Sequence, residues 1–339
     1  MILAGGVKLN SVKILLVIII AGFISGCGPE TVRLTVDFQK DQTLRYNFVS
    51  RRDITMDWGP TRQGGQNKID KFTESLILVV DYTPIEVDPY GLATIKADCI
   101  SAKVSRAGGR RSSRGDAAES FAGKSWTFTV GPTGEMEERS QLLDVMRQVG
   151  KLAFRSDRSQ GLIKEPDMIY DFIASQWFLW YSISSIPDPI KGVAIGDTWE
   201  SKLFVPAPMI LFAARDVTYQ LAEIRGSAGP DAVDDPNGRI AVIDSTYSLL
   251  YPSPSDFPVP YTEVFQMSGT FGFLRGYKVL DLQGQGQELF NIDSGRIEQD
   301  TQKYTIQVEA SLPFGLGGVR PKITIDQTMK TELVASPEM

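Results

Sequence analysis

Apolar and polar residues alternate along most of this chain. From Val32 to Phe38 the apolar positions Val32, Leu34, Val36 and Phe38 fall on one face of an extended segment. The same period of two, carried by β-branched and aromatic residues, predicts strands over 43–58, 71–87, 92–104 and 125–130. It returns over 199–205, 216–224, 239–250, 262–273, 277–282, 287–292, 296–312 and 322–334. Asp88-Pro89-Tyr90-Gly91 and Gly131-Pro132-Thr133-Gly134 read as turns, and the Gly/Arg/Ser-rich stretch 105–123 as a loop.

The period changes in the middle of the chain. Leu142, Leu143, Val145, Met146, Val149 and Leu152 recur at helical spacing, predicting an amphipathic helix over about 138–154. A second helix is predicted from Asp167 to Ser184, between Glu165-Pro166 and Ile186-Pro187. It is apolar on nearly every side, which predicts that it is largely enclosed. Three pairs of segments recur in the same order: Asp41–Leu44 with Gly196–Trp199, Asp88–Gly91 with Asp235–Gly238, and the hairpins around Phe128–Glu137 and Phe290–Glu298. The expected fold is therefore mainly β with two central helices (α+β), built as two similar curved antiparallel sheets from an internal duplication. Turns favour Asp, Asn, Pro and Gly in any β fold, so like-looking turns in a single fold are the alternative.

The first 26 residues belong to a different pattern. Lys8 and Lys13 precede the ten-residue apolar run Ile14–Phe23. That run is too short to cross a bilayer, which needs about 20 apolar residues, and it has the form of a secretory signal. Ile24-Ser25-Gly26-Cys27 follows and resembles the lipobox of bacterial lipoproteins, which implies cleavage before Cys27 and lipidation of its thiol. Anchoring by two or three acyl chains would be stable at about 0.8 kcal/mol per buried CH₂. The expected organisation is a signal peptide over 1–26, a first β region over 27–137, a helical segment over 138–187 and a second β region over 188–339. Residues 27–339 are expected to form one compact unit, held close to a membrane of the bacterial envelope. Gly28 leans towards the outer membrane over the inner.

Composition narrows the chemistry. The chain has no histidine and two cysteines. This excludes Ser-His-Asp and Cys-His catalysis and imidazole-ligated metals. With Cys27 acylated, Cys99 has no partner for an intrachain disulfide, and its setting in an alternating apolar run predicts a buried, inert thiol. Loss of the leader removes two of 35 basic and none of 41 acidic residues, taking the net charge from −6 to −8. That argues against a nucleic-acid partner, and no cofactor is expected.

Three groups of residues invite a functional reading. Arg106, Arg110, Arg111 and Arg114 could meet anionic headgroups, although a solvated loop explains them more simply. Asp231, Asp234, Asp235 and Asn237 offer oxygen ligands for Ca²⁺, but their spacing is that of a hairpin and not of an EF-hand. Tyr170, Phe172, Trp177, Trp180 and Tyr181 on the second helix could line an apolar-ligand cavity, or form plain core. No spacing singles out a catalytic carboxylate pair.

The lipobox, the segment 122–138 (AGKSWTFTVGPTGEMEE), the helical middle and the segment 186–199 (IPDPIKGVAIGDTW) together resemble a group of bacterial envelope lipoproteins carrying a domain of unknown function. The resemblance implies architecture and location and no catalytic residue. The expected function is a membrane-anchored, non-enzymatic binding or structural module. The alternative is a carrier of lipid or another apolar ligand in a sheet-and-helix cavity. A carboxylate-dependent hydrolase is the weakest of the three.

Overall fold

The computed structural model describes residues 31–60, 65, 67–108, 115–153, 168–206, 213–226, 238–251, 274–312 and 320–334. The signal peptide expected over 1–26 and Cys27 lie outside them, as do Arg110, Arg111, Arg114, the Asp231–Asn237 group and the strand expected over 262–273.

Alternation becomes burial. In β2 (Leu44–Pro60) the inward positions are Tyr46, Phe48, Ser50, Arg52, Ile54 and Met56, all buried. In β3 (Asn67–Val87) they are Glu74, Leu76, Leu78, Val80 and Tyr82. The sheet continues through β4 (Ala93–Gly108), β5 (Ser125–Val130), β7 (Thr198–Phe204), β8 (Ala214–Arg225), β9 (Ile240–Leu250), β10 (Arg275–Asn291), β11 (Arg296–Ser311) and β12 (Lys322–Val334). Its order is β5-β4-β3-β2-β12-β11-β10-β9-β8-β7, and every pairing is antiparallel. A separate two-stranded ribbon joins β1 (Thr31–Val32) to β6 (Val193–Ala194).

This corrects the expectation of two similar sheets. Among the described residues the strands of both β regions share one sheet of ten strands, because β12 pairs with β2 from Lys322↔Asp57 to Val334↔Arg45. That junction satisfies two long strand edges that separate sheets would leave open. The like-looking segments share turn chemistry: Gly91, Gly134, Gly238 and Gly295 all adopt positive φ. Two further differences concern boundaries. Strand β10 is one strand where a break was expected at Gln283–Gly286, and β4 runs on to Gly108 into the expected loop.

The helical insert lies between β5 and β7 in sequence and covers the sheet's inner face. Helix α1 (Ser140–Ala153) packs on β5 and on a 3-10 turn at Ala117–Phe121, burying Leu142, Val145, Met146 and Val149. The expected second helix is broken into α2 (Ile169–Trp177) and α3 (Tyr181–Ser184). Consecutive aromatics at 177–178 and 180–181 lose rotamer freedom in a helix. The break lets Trp180 face Phe38 and Tyr82, while Phe178 faces Phe204.

The segment before β2 is extended and docked. Leu34, Val36 and Phe38 are buried, as the alternation predicts. Val36 donates its amide to Pro132 O at 2.8 Å, and Asp37 donates to Gly295 O at 3.0 Å. Gly192 faces Val32 so closely that a β-carbon there would lie 2.3 Å from its carbonyl oxygen.

Candidate functional site

The aromatic residues singled out in the insert pack ring against ring. Phe172 stacks on Phe121, with centroids 3.5 Å apart, and meets the edge of Trp126 at 5.6 Å. Trp180 touches Phe38, Tyr82 and Phe128. Trp177 lies under the Arg139 guanidinium at 3.9 Å. Tyr170 and Tyr181 are half-buried at the flanks, Tyr181 against Phe178 at 5.0 Å. Between α2 and the sheet, among Phe48, Ser50, Leu76, Asp171 and Met329, the free space is ≈ 10 Å³, on the order of one water molecule.

The insert meets the sheet through buried polar contacts as well as rings. Arg52 is fully buried; its Nε donates to Glu74 Oε2 at 2.8 Å and its Nη1 to Asp171 Oδ2 on α2 at 3.2 Å. Gln327 Nε2 donates to Asp171 Oδ1 at 3.3 Å and to Ser50 Oγ at 3.0 Å. Tyr82 OH donates to Gln176 Oε1, also on α2. On α3, Ser182 Oγ donates to the carboxylate of Glu288, 2.7 and 2.8 Å from its two oxygens. The backbone carbonyl of Ser182 accepts from Trp199 Nε1 at 2.8 Å.

These contacts belong to a polar belt that crosses the inner face in register. Arg106 (β4) lies opposite Glu74 (β3), Glu74 opposite Arg52 (β2), and Arg52 opposite Gln327 (β12). Gln327 lies opposite Tyr304 (β11), Tyr304 opposite Gly284 (β10), and Gly284 opposite Tyr247 (β9). One row thus runs across seven strands. Gly284 is required where β11 closes in, since a β-carbon there would sit 2.4 Å from Tyr304 Cβ and 2.5 Å from the Lys303 carbonyl oxygen. The next row carries Met329, Gln302, Gly286 and Ser245. On the other side, Ile54, Ile325, Ile306 and Leu282 form an apolar row in register.

Electrostatics divide the belt. Burial alone would raise the Glu74 carboxyl, but Arg52 and Arg106 outweigh it and hold it below the usual range. Burial pushes Asp171 up to about 6 against the pull of Arg52, whose charge is shared with Glu74. Burial, with Asp300 next to it, pushes Glu288 up to about 8. Asp300, its half-buried cross-strand partner, is pushed up by burial to about 6, with Gln302 and Arg215 opposing.

Sequence reading missed the belt, yet a signal was present. Arg52, Glu74, Arg215 and Glu288 each occupy the apolar phase of an alternating strand. A charged residue in that phase points inwards and needs a partner. Arg106, considered for headgroup contact, instead turns to Glu74 and Asp116. Asp116 accepts from Ala118 N at 2.8 Å and so caps the 3-10 turn. Cys99 is buried, and burial pushes its thiol up to about 12.

Among the described residues no group of three or more His, Cys, Asp or Glu is placed to hold a metal, and no helix is long and apolar enough to cross a membrane. No protein-family model and no curated protein matches the chain. Among solved structures, "Lipid-protein interactions in lipovitellin" is similar at a TM-score of 0.38 and 8% identity, over 89% of this chain. The chain spans 26% of that protein's chain, and a superposition at this level defines neither a shared fold nor a shared ligand.

Proposed function

We propose that this protein is a non-enzymatic envelope carrier, anchored through Cys27, that holds an amphiphilic apolar ligand on the inner face of its sheet. The observation that carries the reading is the polar belt. A row of charged and hydrogen-bonding side chains runs beside an apolar row within one enclosed interior. Such an interior matches a molecule with a polar head and an apolar tail. Entry requires the insert to part from the sheet. Opening breaks the polar contacts of Asp171, Gln176 and Ser182 and the ring contacts of Phe172 and Trp180, so the bound ligand must replace both kinds of contact.

A second reading rests on the ≈ 10 Å³ of space beneath α2. An interior filled to that degree suits a rigid binding or structural module. The test is made on the full-length protein purified from membranes in mild detergent. Bound lipid is extracted and identified, and the emptied protein is titrated with a fluorescent fatty acid. Saturable binding supports the carrier. Absence of both bound lipid and saturable uptake overturns it in favour of the module.

A further inference from the structure

The belt ends on a cation that, among the described residues, has no carboxylate hydrogen-bonded to it. Arg215 of β8 is 2% exposed, and its guanidinium lies over the rings of Tyr247, at 4.7 Å, and Tyr304, at 5.0 Å. Its Nη2 donates to Gln302 Oε1 at 3.0 Å. Its Nε and Nη1 are buried with no acceptor among the described residues. The other two belt arginines differ: Arg52 pairs with Glu74 and Asp171, and Arg106 with Glu74 and Asp116. A buried guanidinium with unmet donors is destabilising, and arginine's planar fork matches an oxyanion. The two tyrosine faces supply part of the missing negative potential without accepting the N–H groups.

The geometry points to Arg215 as the residue that receives the carboxylate head of a long-chain acyl ligand. This rests on the carrier reading above. The head would reach Nε and Nη1 beside Tyr247, whose ring the guanidinium overlies at 4.7 Å and whose hydroxyl is 2.7 Å from Ser245 Oγ. The tail would follow the neighbouring apolar row. Arg215 lies opposite Leu249, and Leu282, Ile306, Ile325 and Ile54 continue that side of the belt across four strands. Gln302 bridges Arg215 to Asp300, and one guanidinium with that carboxyl near it fits a singly charged head better than a doubly charged phosphate.

The test is displacement of a fluorescent fatty acid from the full-length protein in mild detergent. Oleate, methyl oleate and dioleoyl phosphatidate compete, against wild type, Arg215→Met and Arg215→Lys. Wild type should bind oleate at least tenfold more tightly than methyl oleate or phosphatidate. Arg215→Met should lose that preference while binding methyl oleate as wild type does, and Arg215→Lys should keep only part of it. Equal binding of oleate and methyl oleate by wild type overturns the assignment and leaves the carrier standing. So does a preference that survives in a folded Arg215→Met. A preference for phosphatidate reassigns the head as phosphate and also overturns it. Saturable binding of none of the three overturns the carrier itself. Where the methionine variant fails to fold, Arg215→Lys carries the test, because it keeps the charge and loses the planar fork: an oleate preference there equal to that of wild type overturns the assignment.

Discussion

Ser182 and Glu288, 106 residues apart in sequence, form a hydrogen-bonded pair between the helical insert and the inner face of the sheet. Glu288 is buried and its carboxyl is raised to about 8, so near neutrality much of it is protonated. The contact therefore joins insert and sheet through a group whose charge changes within the physiological range.

Stability should fall as pH rises from about 4.5 to 8. Glu288, raised from 4.5 to about 8, and Asp171 and Asp300, each raised from 3.8 to about 6, hold protons when folded that the unfolded chain has released. The folded state binds more protons across that window, which gives stability a negative slope with pH. Urea unfolding midpoints measured from pH 4.5 to 8.5 should decline, and Glu288→Gln should flatten the upper part of the curve. A midpoint that climbs towards pH 8 contradicts the assignment.

Arg52→Met should cost about 3–5 kcal/mol, the usual result of removing one partner from a buried ion pair. It leaves the buried Asp171 without its cation and Glu74 with Arg106 alone. The loss should be smaller at pH 5 than at pH 8, because Asp171 takes up a proton and ceases to be a buried charge. Equal losses at the two pH values would show that packing and not charge dominates this site.

Trp180→Ala should cost about 3–5 kcal/mol, by leaving a cavity among Phe38, Tyr82 and Phe128. Trp177→Ala should cost less. Trp177 is 8% exposed against 3% for Trp180, and its ring lies under a charged group at the margin of the core. Denaturant unfolding of the two variants side by side gives the order.

Cys27→Ser should abolish incorporation of a clickable fatty acid and release the protein from the membrane fraction. Serine cannot form the thioether to diacylglycerol. Labelling of the variant at the wild-type level would end the lipid-anchor reading.

The strands were legible because each has one wet and one dry face, and alternation records that directly. Val32 to Phe38 and Tyr46 to Met56 follow it residue by residue. The number of sheets was not legible. Whether β2 and β12 are edges or neighbours depends on a pairing between residues more than 250 apart, which no local pattern encodes. Gln283–Gly286 looked like a break, since glycine weakens a strand. It is continuous because the space above Gly284 is taken by Tyr304. The aromatic insert was correctly expected to be enclosed. The belt was not foreseen, because its members become adjacent only through register across seven strands. Arg215 belongs to it only by reaching over from a position opposite Leu249.

The docked segment 31–37 also has a mechanical consequence. It is moored at three places: to β6 through Thr31 and Val32, to the 131–134 turn through Val36, and to the turn between β10 and β11 through Asp37. These moorings lead to the strand before β7, to the hairpin beyond β5, and to the middle of the sheet. A pull on the chain ahead of Thr31 meets the β1–β6 ribbon first and the Val36 and Asp37 bonds after it. The ribbon would part before those bonds took up the force, so drag on a tethered molecule would be met first by a short outlying pair of strands and not by the sheet.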